Sequence, residues 1–210
     1  MARDDGKYIF SLDYMRRSGA RGTLAARARN STRNRKVKVS LSPVTFGEPA
    51  VEAPPVYLAA TGHRPDKLQG IPHDRLLYLA ETALRAEPTP LSRVRAISGL
   101  AQGWDTYWAL AAYKLEIPLI AAIPFPDQAK NWPALDRKIY AALLAAASRV
   151  VVVNPGPPAR WKYHARNRWM VYHADVVVAL WNGSPGGTAS TVRYAQKCGK
   201  PVRNLWDQLR

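Results

Sequence analysis

The sequence predicts an α/β fold in which a parallel sheet is covered by helices on both faces. Three observations predict it. From Val56 onward, short apolar runs alternate with longer stretches whose apolar residues recur at helical spacing. The short runs are mostly apolar rather than apolar at every second residue, as strands buried on both faces require. Glycine and proline punctuate the runs at intervals suited to strand–helix–strand units.

Val56 to Ala60 reads as the first strand, ended by Thr61 and Gly62. Asp74 to Ala86 carries Leu76, Leu77, Ala80, Ala83 and Leu84 at helical spacing and is closed by Pro88. Val94 to Ile97 is a second strand, followed by a glycine turn and a helix over Trp104 to Leu115. Pro118 to Ile123 is a third strand stopped by Pro124 and Pro126, and Pro133 to Ala147 is the next helix. Val150 to Val153 is a fourth strand, ended by Asn154-Pro155-Gly156. Tyr163 to Tyr172 is helical, Asp175 to Leu180 a fifth strand, and Thr188 to Lys197 a last helix with Gly199 as its C-terminal cap. Val202 lies in a short sixth strand. The whole is a Rossmann-like domain over residues 56–210, and in such sheets ligands bind beyond the carboxyl ends of the strands.

Residues 1–55 read differently. Between positions 14 and 47 stand Arg16, Arg17, Arg21, Arg27, Arg29, Arg33, Arg35, Lys36 and Lys38, with no acid. Gly, Ser, Thr and Asn abound and large apolar residues are few, so the stretch is expected to be a flexible basic arm. It accounts for much of the formal charge of +16. An arm of this kind gains affinity for polyphosphates by releasing counterions; it reads equally as a solvated tail or a transit-like leader. Residues 42–55, with Pro43, Pro49, Pro54 and Pro55, form a linker. No apolar run approaches the ~18 residues of a membrane-spanning helix, and the amino-terminal residues lack the apolar core of a secretory signal. Cys198, the lone cysteine, excludes an intrachain disulfide and points to a reducing, cytoplasmic setting.

Chemistry is expected in three strand-to-helix loops: Thr61-Gly62-His63-Arg64-Pro65, Ser98 to Asp105 with Gly99 and Gly103, and Asn182 to Thr188 with Gly183, Gly186 and Gly187. Glycine lets backbone approach a ligand closely. A helix N-terminus just beyond offers free N–H groups and a positive dipole end, which attract phosphate. Thr188 is expected to cap the last helix and to meet a phosphate oxygen. The expectation is that amides of these loops gather at one sheet edge into a cradle for an anion.

Single residues carry alternatives. Arg64 is a phosphate or carboxylate clamp, or a surface ion-pair partner. His63 is a ligand contact or general acid–base, against a histidine bonded within its own loop. Asp105 is a catalytic carboxylate, or a structural charge at a helix start. Arg166 and Asn167 point at the crevice or simply solvate their helix. The spacing of Gly99 and Gly103 does not fit a dinucleotide fingerprint, and no glycine-rich loop is followed by Gly-Lys-Ser/Thr. His63, His73, His164, His173 and Cys198 show no paired ligand spacing, so no metal is expected.

In chain order, Thr61-Gly62-His63-Arg64-Pro65, Ser98-Gly99 with Gly103 and Asp105, Pro124-Phe125 with Trp132, Arg166-Asn167 with Met170, and Trp181-Asn182-Gly183 with Gly186-Gly187-Thr188 resemble the YpsA-like branch of the SLOG superfamily. The resemblance runs from about Val56 to Trp206. It implies a Rossmann-like fold that binds nucleotides or nucleotide-derived ligands, ADP-ribose-like or cyclic. The superfamily also holds the Lonely Guy phosphoribohydrolases and the DNA-uptake protein DprA. The hydrolases carry a glutamate shortly after a Gly-Gly-x-Gly-Thr loop, whereas Gly186-Gly187-Thr188 is followed here by Ala189, Ser190 and Thr191. Hydrolysis at a sugar needs a carboxylate, which leaves Asp105 to supply it.

Three functions follow from this reading. The first is binding or sensing of a phosphate-bearing, nucleotide-derived molecule through the three loops, with no further cofactor. The second is N-glycosidic hydrolysis of a nucleoside phosphate, with Asp105 as carboxylate and Arg64 and Arg166 on phosphate. The third is nucleic-acid binding through residues 14–47. A homo-oligomer is compatible with the sequence.

Overall fold

Short runs of Val, Ile, Leu and Ala cannot form a helix long enough to stand alone and instead pair as strands. In the computed structural model, which describes residues 53–209, six of them do so: β1 (Val56–Gly62), β2 (Val94–Ser98), β3 (Leu119–Ile123), β4 (Arg149–Val152), β5 (Val176–Leu180) and β6 (Val202–Asn204). The basic arm lies outside the described residues. All pairings are parallel, in the order β4-β3-β2-β1-β5-β6. Chain order therefore reverses beside β1: β2 lies on one side of it and β5 on the other.

Five helices cover the sheet: α1 (His73–Arg85), α2 (Trp104–Lys114), α3 (Ala134–Ala146), α4 (Arg160–His173) and α5 (Gly187–Lys197). Alternate strand residues point to opposite faces. Leu58, Ala60, Val94, Ala96, Ala121 and Val178 pack against α1, α2 and α3 in one core. Ala59, Ile97, Ile120, Ala122 and Val177 meet Met170 and Val171 of α4 and Ala195 of α5 in the other. The α1 stripe Leu76, Leu79, Ala80 and Leu84 is the amphipathic pattern of a surface helix. Helix α2 has neighbours in α1 and α3 and buries Trp104, Tyr107, Trp108 and Ala109 to Ala112. Edge strand β4 is the exception, leaving Val150 and Val152 exposed.

Two boundaries differ from the sequence pattern for identifiable reasons. Helix α4 starts at Arg160 rather than Tyr163, because Lys162 turns inward. Its stem is buried, and Nζ donates to the carbonyls of Asn154 (3.1 Å) and Pro155 (2.9 Å). A lysine satisfied in this way occupies a position the pattern reserves for apolar residues. Helix α5 starts at Gly187, with Gly186 (φ 143°) at the N-cap position and no side chain bonding the helix end. Thr188 thus lies inside the first turn and does not cap it. At the other end, Gly199 (φ 67°) lets its own N–H reach Gln196 O and that of Lys200 reach Ala195 O, which satisfies the last carbonyls.

Candidate functional site

The reversal of strand order brings the loops after β1 and β5 side by side. The His63 N–H donates to Leu180 O (3.1 Å), and the Asn182 N–H donates to His63 Nε2 (3.0 Å). The His63 ring is buried, edge-on to Trp206 at 5.3 Å. Nε2 also lies 2.7 Å from Asn182 Oδ1; burial, the main cause, holds the ring's pKa below the usual histidine value, and the Asn182 side chain opposes that shift. Lys67 adds a second tie, donating to Ser184 Oγ (2.6 Å) and Pro185 O (3.3 Å). The residue's place in the fold is thus within the clasp between loops, away from the cavity that opens beside it.

That cavity, of about 360 Å³, lies at the carboxyl edge of the sheet. Eight residues expected from the sequence line it: Thr61, Gly62, Arg64, Asp105, Arg166, Asn167, Gly187 and Thr188. His63, Ser98, Gly99, Gly103, Gly183 and Gly186 do not. Ser98 is fully buried, its Oγ donating to Asp105 O (2.7 Å) and accepting the Leu100 N–H (3.1 Å). Gly103 (φ 93°) precedes α2, and a Cβ there would run into the His63 carbonyl; its absence lets the Trp104 N–H bond that oxygen at 3.1 Å. Gly62 lines the cavity on one side, while a Cβ on it would overlap Trp104.

The floor of the cavity is a run of polar contacts. Arg166 is buried, and its Nη1 donates to the carbonyls of Gly99 and of Ala122 (3.2 Å). Arg166 Nε donates to Asn167 Oδ1 (2.8 Å), Asn167 Nδ2 to Thr191 Oγ1 (2.9 Å), and Thr191 Oγ1 to Gly187 O (2.9 Å). Asp105 accepts N–H bonds from Ala101 and Gly99 and faces Arg166. Burial raises its pKa, and the positive charges of Arg166 and Arg64 oppose that shift. Burial likewise pushes Arg166 down while Asp105 supports its charge; a guanidinium stays protonated throughout. A Cβ on Gly99 would sit inside the Arg166 guanidinium, so the space expected for a ligand is taken by the protein's own cation. Gln128 braces the same loop, donating to Gly99 O (3.1 Å) and Leu100 O (3.3 Å).

The sequence reading missed Arg160, Tyr163 and His164, which also line the cavity. With Asn167 they form one helical face (i, i+3, i+4, i+7), a pattern visible once α4 begins at Arg160. The lining therefore sets Arg64, Arg160 and Arg166 against one carboxylate, Asp105. Gly187 and Thr188 bring the first turn of α5, whose leading N–H groups have no acceptor within the helix. Cationic side chains and an uncapped helix start at a reversal of strand order favour an anion.

Six parallel strands with helices on both faces and a cation-lined cavity at the strand-order reversal define a Rossmann-like domain of the SLOG superfamily. The chain belongs to the DNA recombination-mediator protein A family, which it matches over residues 83–209. A relative, the uncharacterized SPbeta prophage-derived protein YoqJ of Bacillus subtilis (strain 168), is 30% identical over 140 residues, covering 59% of this chain and 80% of that protein. Among solved structures, DNA processing protein A (DprA) of Streptococcus pneumoniae superposes with a TM-score of 0.56 at 20% identity, over 70% of this chain and 49% of that one. DNA processing protein A of Helicobacter pylori, described for its single-stranded DNA binding mode, gives 0.52 at 22% identity, over 71% of this chain and 64% of that one. Both are likenesses of fold, and this chain spans about half the length of the first and under two thirds of the second. No helix among the described residues is long and apolar enough to cross a membrane.

Proposed function

We propose that the cavity binds the phosphate of a nucleotide-derived small molecule, and that the protein is a binding or sensing module. One observation carries the reading: a buried arginine, Arg166, held by two backbone carbonyls at the floor of a cavity whose rim holds Arg64, Arg160 and the uncapped start of α5. A cation fixed in advance loses little freedom on binding an anion, and partial burial strengthens the attraction. Calorimetric titration with nucleotides and ADP-ribose tests it. Binding in the micromolar range is expected, and the absence of heat at millimolar ligand overturns the reading.

A second reading is supported by a separate observation. Helices α4 and α5 contain no acidic residue, and a groove of about 410 Å³ between them is lined by His164, Arg168, Arg193 and Lys197. A nucleic-acid strand crossing this face would meet a row of cations leading to the cavity. Affinity for single-stranded DNA measured at two salt concentrations, with and without residues 1–50, separates the arm from the domain. An affinity that does not fall as salt rises excludes the phosphate contacts this reading needs.

A further inference from the structure

A second cavity, of about 550 Å³, lies on the other flank of the β1 loop. Its walls come from the 3-10 turn Pro65–Lys67, the segment 68–72, the first turn of α1 and the start of α2. Leu68, Leu76 and Tyr107 are buried and Ile71 is half-buried, and together they supply the apolar part of the wall. Its polar part comes from backbone, the exposed Gln69 amide, and the His73 ring in contact with the Tyr107 hydroxyl. No lysine, arginine, aspartate or glutamate lines it, in contrast to the first cavity.

The partition between the two is thin. Arg64 faces the first cavity and the next residue, Pro65, faces the second. Gly103 lines the second cavity, while Ala101 and Asp105 on either side of it line the first. Consecutive Cα atoms are about 3.8 Å apart, so a single backbone thickness separates them. An ion entering the second cavity would lose hydration with no charge to replace it. A flat neutral ring with polar edges meets no such cost: its faces cover Leu68, Ile71 and Leu76, and its edges find Gln69 and backbone groups.

We propose that this cavity is the ring subsite of a two-part ligand, holding a neutral nucleobase-like ring between Leu68, Ile71, Leu76 and Tyr107 while the ligand's anionic part crosses Arg64–Pro65 into the first cavity. The ring subsite stands alone; only the crossing rests on the phosphate reading of the first cavity.

Three probes on the full chain test it: adenosine (ring without phosphate), inorganic pyrophosphate (charge without ring) and ADP (both). Adenosine is expected to bind weakly, pyrophosphate independently of it, and ADP at least tenfold more tightly than either. Gln69→Trp places a large side chain at the exposed rim without touching the core. It should weaken adenosine and ADP at least tenfold and leave pyrophosphate unchanged. As a measure free of any mutation, the methyl NMR signals of Leu68, Ile71 and Leu76 should shift with adenosine and not with pyrophosphate. Adenosine that shifts none of these methyls, or binds Gln69→Trp as it binds the parent, overturns the ring subsite. ADP no tighter than adenosine overturns the crossing. Pyrophosphate that fails to bind overturns the phosphate reading and the crossing with it, while adenosine and the methyl signals still decide the ring subsite.

Discussion

The loops after β2 and β5 look alike in sequence, each rich in glycine and each leading into a helix, yet the fold uses them in opposite ways. At Gly99 the space a side chain would fill is occupied by the Arg166 guanidinium and the Asp105 carboxylate. At Gly187 nothing lies within 4 Å of where a Cβ would be. The first loop is closed on the protein's own cation and the second is open to solvent. A glycine-rich turn at a sheet edge therefore marks close approach to a guest, and the guest is sometimes a side chain of the same chain.

The largest expected effect breaks the closed loop. Arg166→Met leaves the buried Asp105 with Arg64 as its remaining counter-charge, takes the Arg166 donor from the Ala122 carbonyl and leaves Gln128 as the donor to Gly99 O. Loss of one partner of a buried charge pair costs about 3–5 kcal/mol, so the urea midpoint should fall sharply; an unchanged midpoint refutes the closed-loop account. Gly99→Ala comes next, because overpacking a filled site costs roughly 1–3 kcal/mol. The matched change Gly187→Ala should stay within about 0.5 kcal/mol, as for an open surface position. Equal effects at the two glycines would erase the contrast. Gly187→Asp sharpens it on the binding side: a like charge at the rim should weaken a phosphate ligand at least a hundredfold in titration, with little change in thermal midpoint.

The smallest effect concerns the clasp between the β1 and β5 loops. Because burial lowers the His63 pKa, the folded protein binds fewer protons there than the unfolded chain, whose histidine titrates near 6.5. Stability from this group is complete above that value and is lost as pH falls below it. The melting temperature should drop between pH 7 and pH 5, and His63→Gln should flatten that slope. A slope unaltered by the substitution would remove His63 as its cause.

The strands were legible to within a residue or two, because runs such as Val176–Leu180 are apolar on both faces and bounded by turn residues. Much of the cavity lining was legible for a related reason: Thr61 and Gly62 end a strand, Arg64 stands just beyond it, and Gly187 and Thr188 open the helix that follows β5, where such folds place their sites. Arg160, Tyr163 and His164 were not, since Lys162 interrupts the apolar spacing and only its two carbonyl partners explain why it turns inward. The closure of Gly99 was invisible for a different reason. Its partner Arg166 stands 67 positions further along the chain, and no local pattern distinguishes a turn packed by a distant arginine from one awaiting a phosphate.

The hydroxyl of Thr191 accepts from Asn167 and donates to Gly187, and it has a single hydrogen to give. That fixes a polarity: the relay reads one way only, from the guanidinium toward the glycine carbonyl, and cannot be inverted by rotating any member. Serine could take the post without disturbing that sense, whereas valine, the same shape without the oxygen, would take the acceptor from the Asn167 amide and leave the Gly187 carbonyl with its helix bond alone.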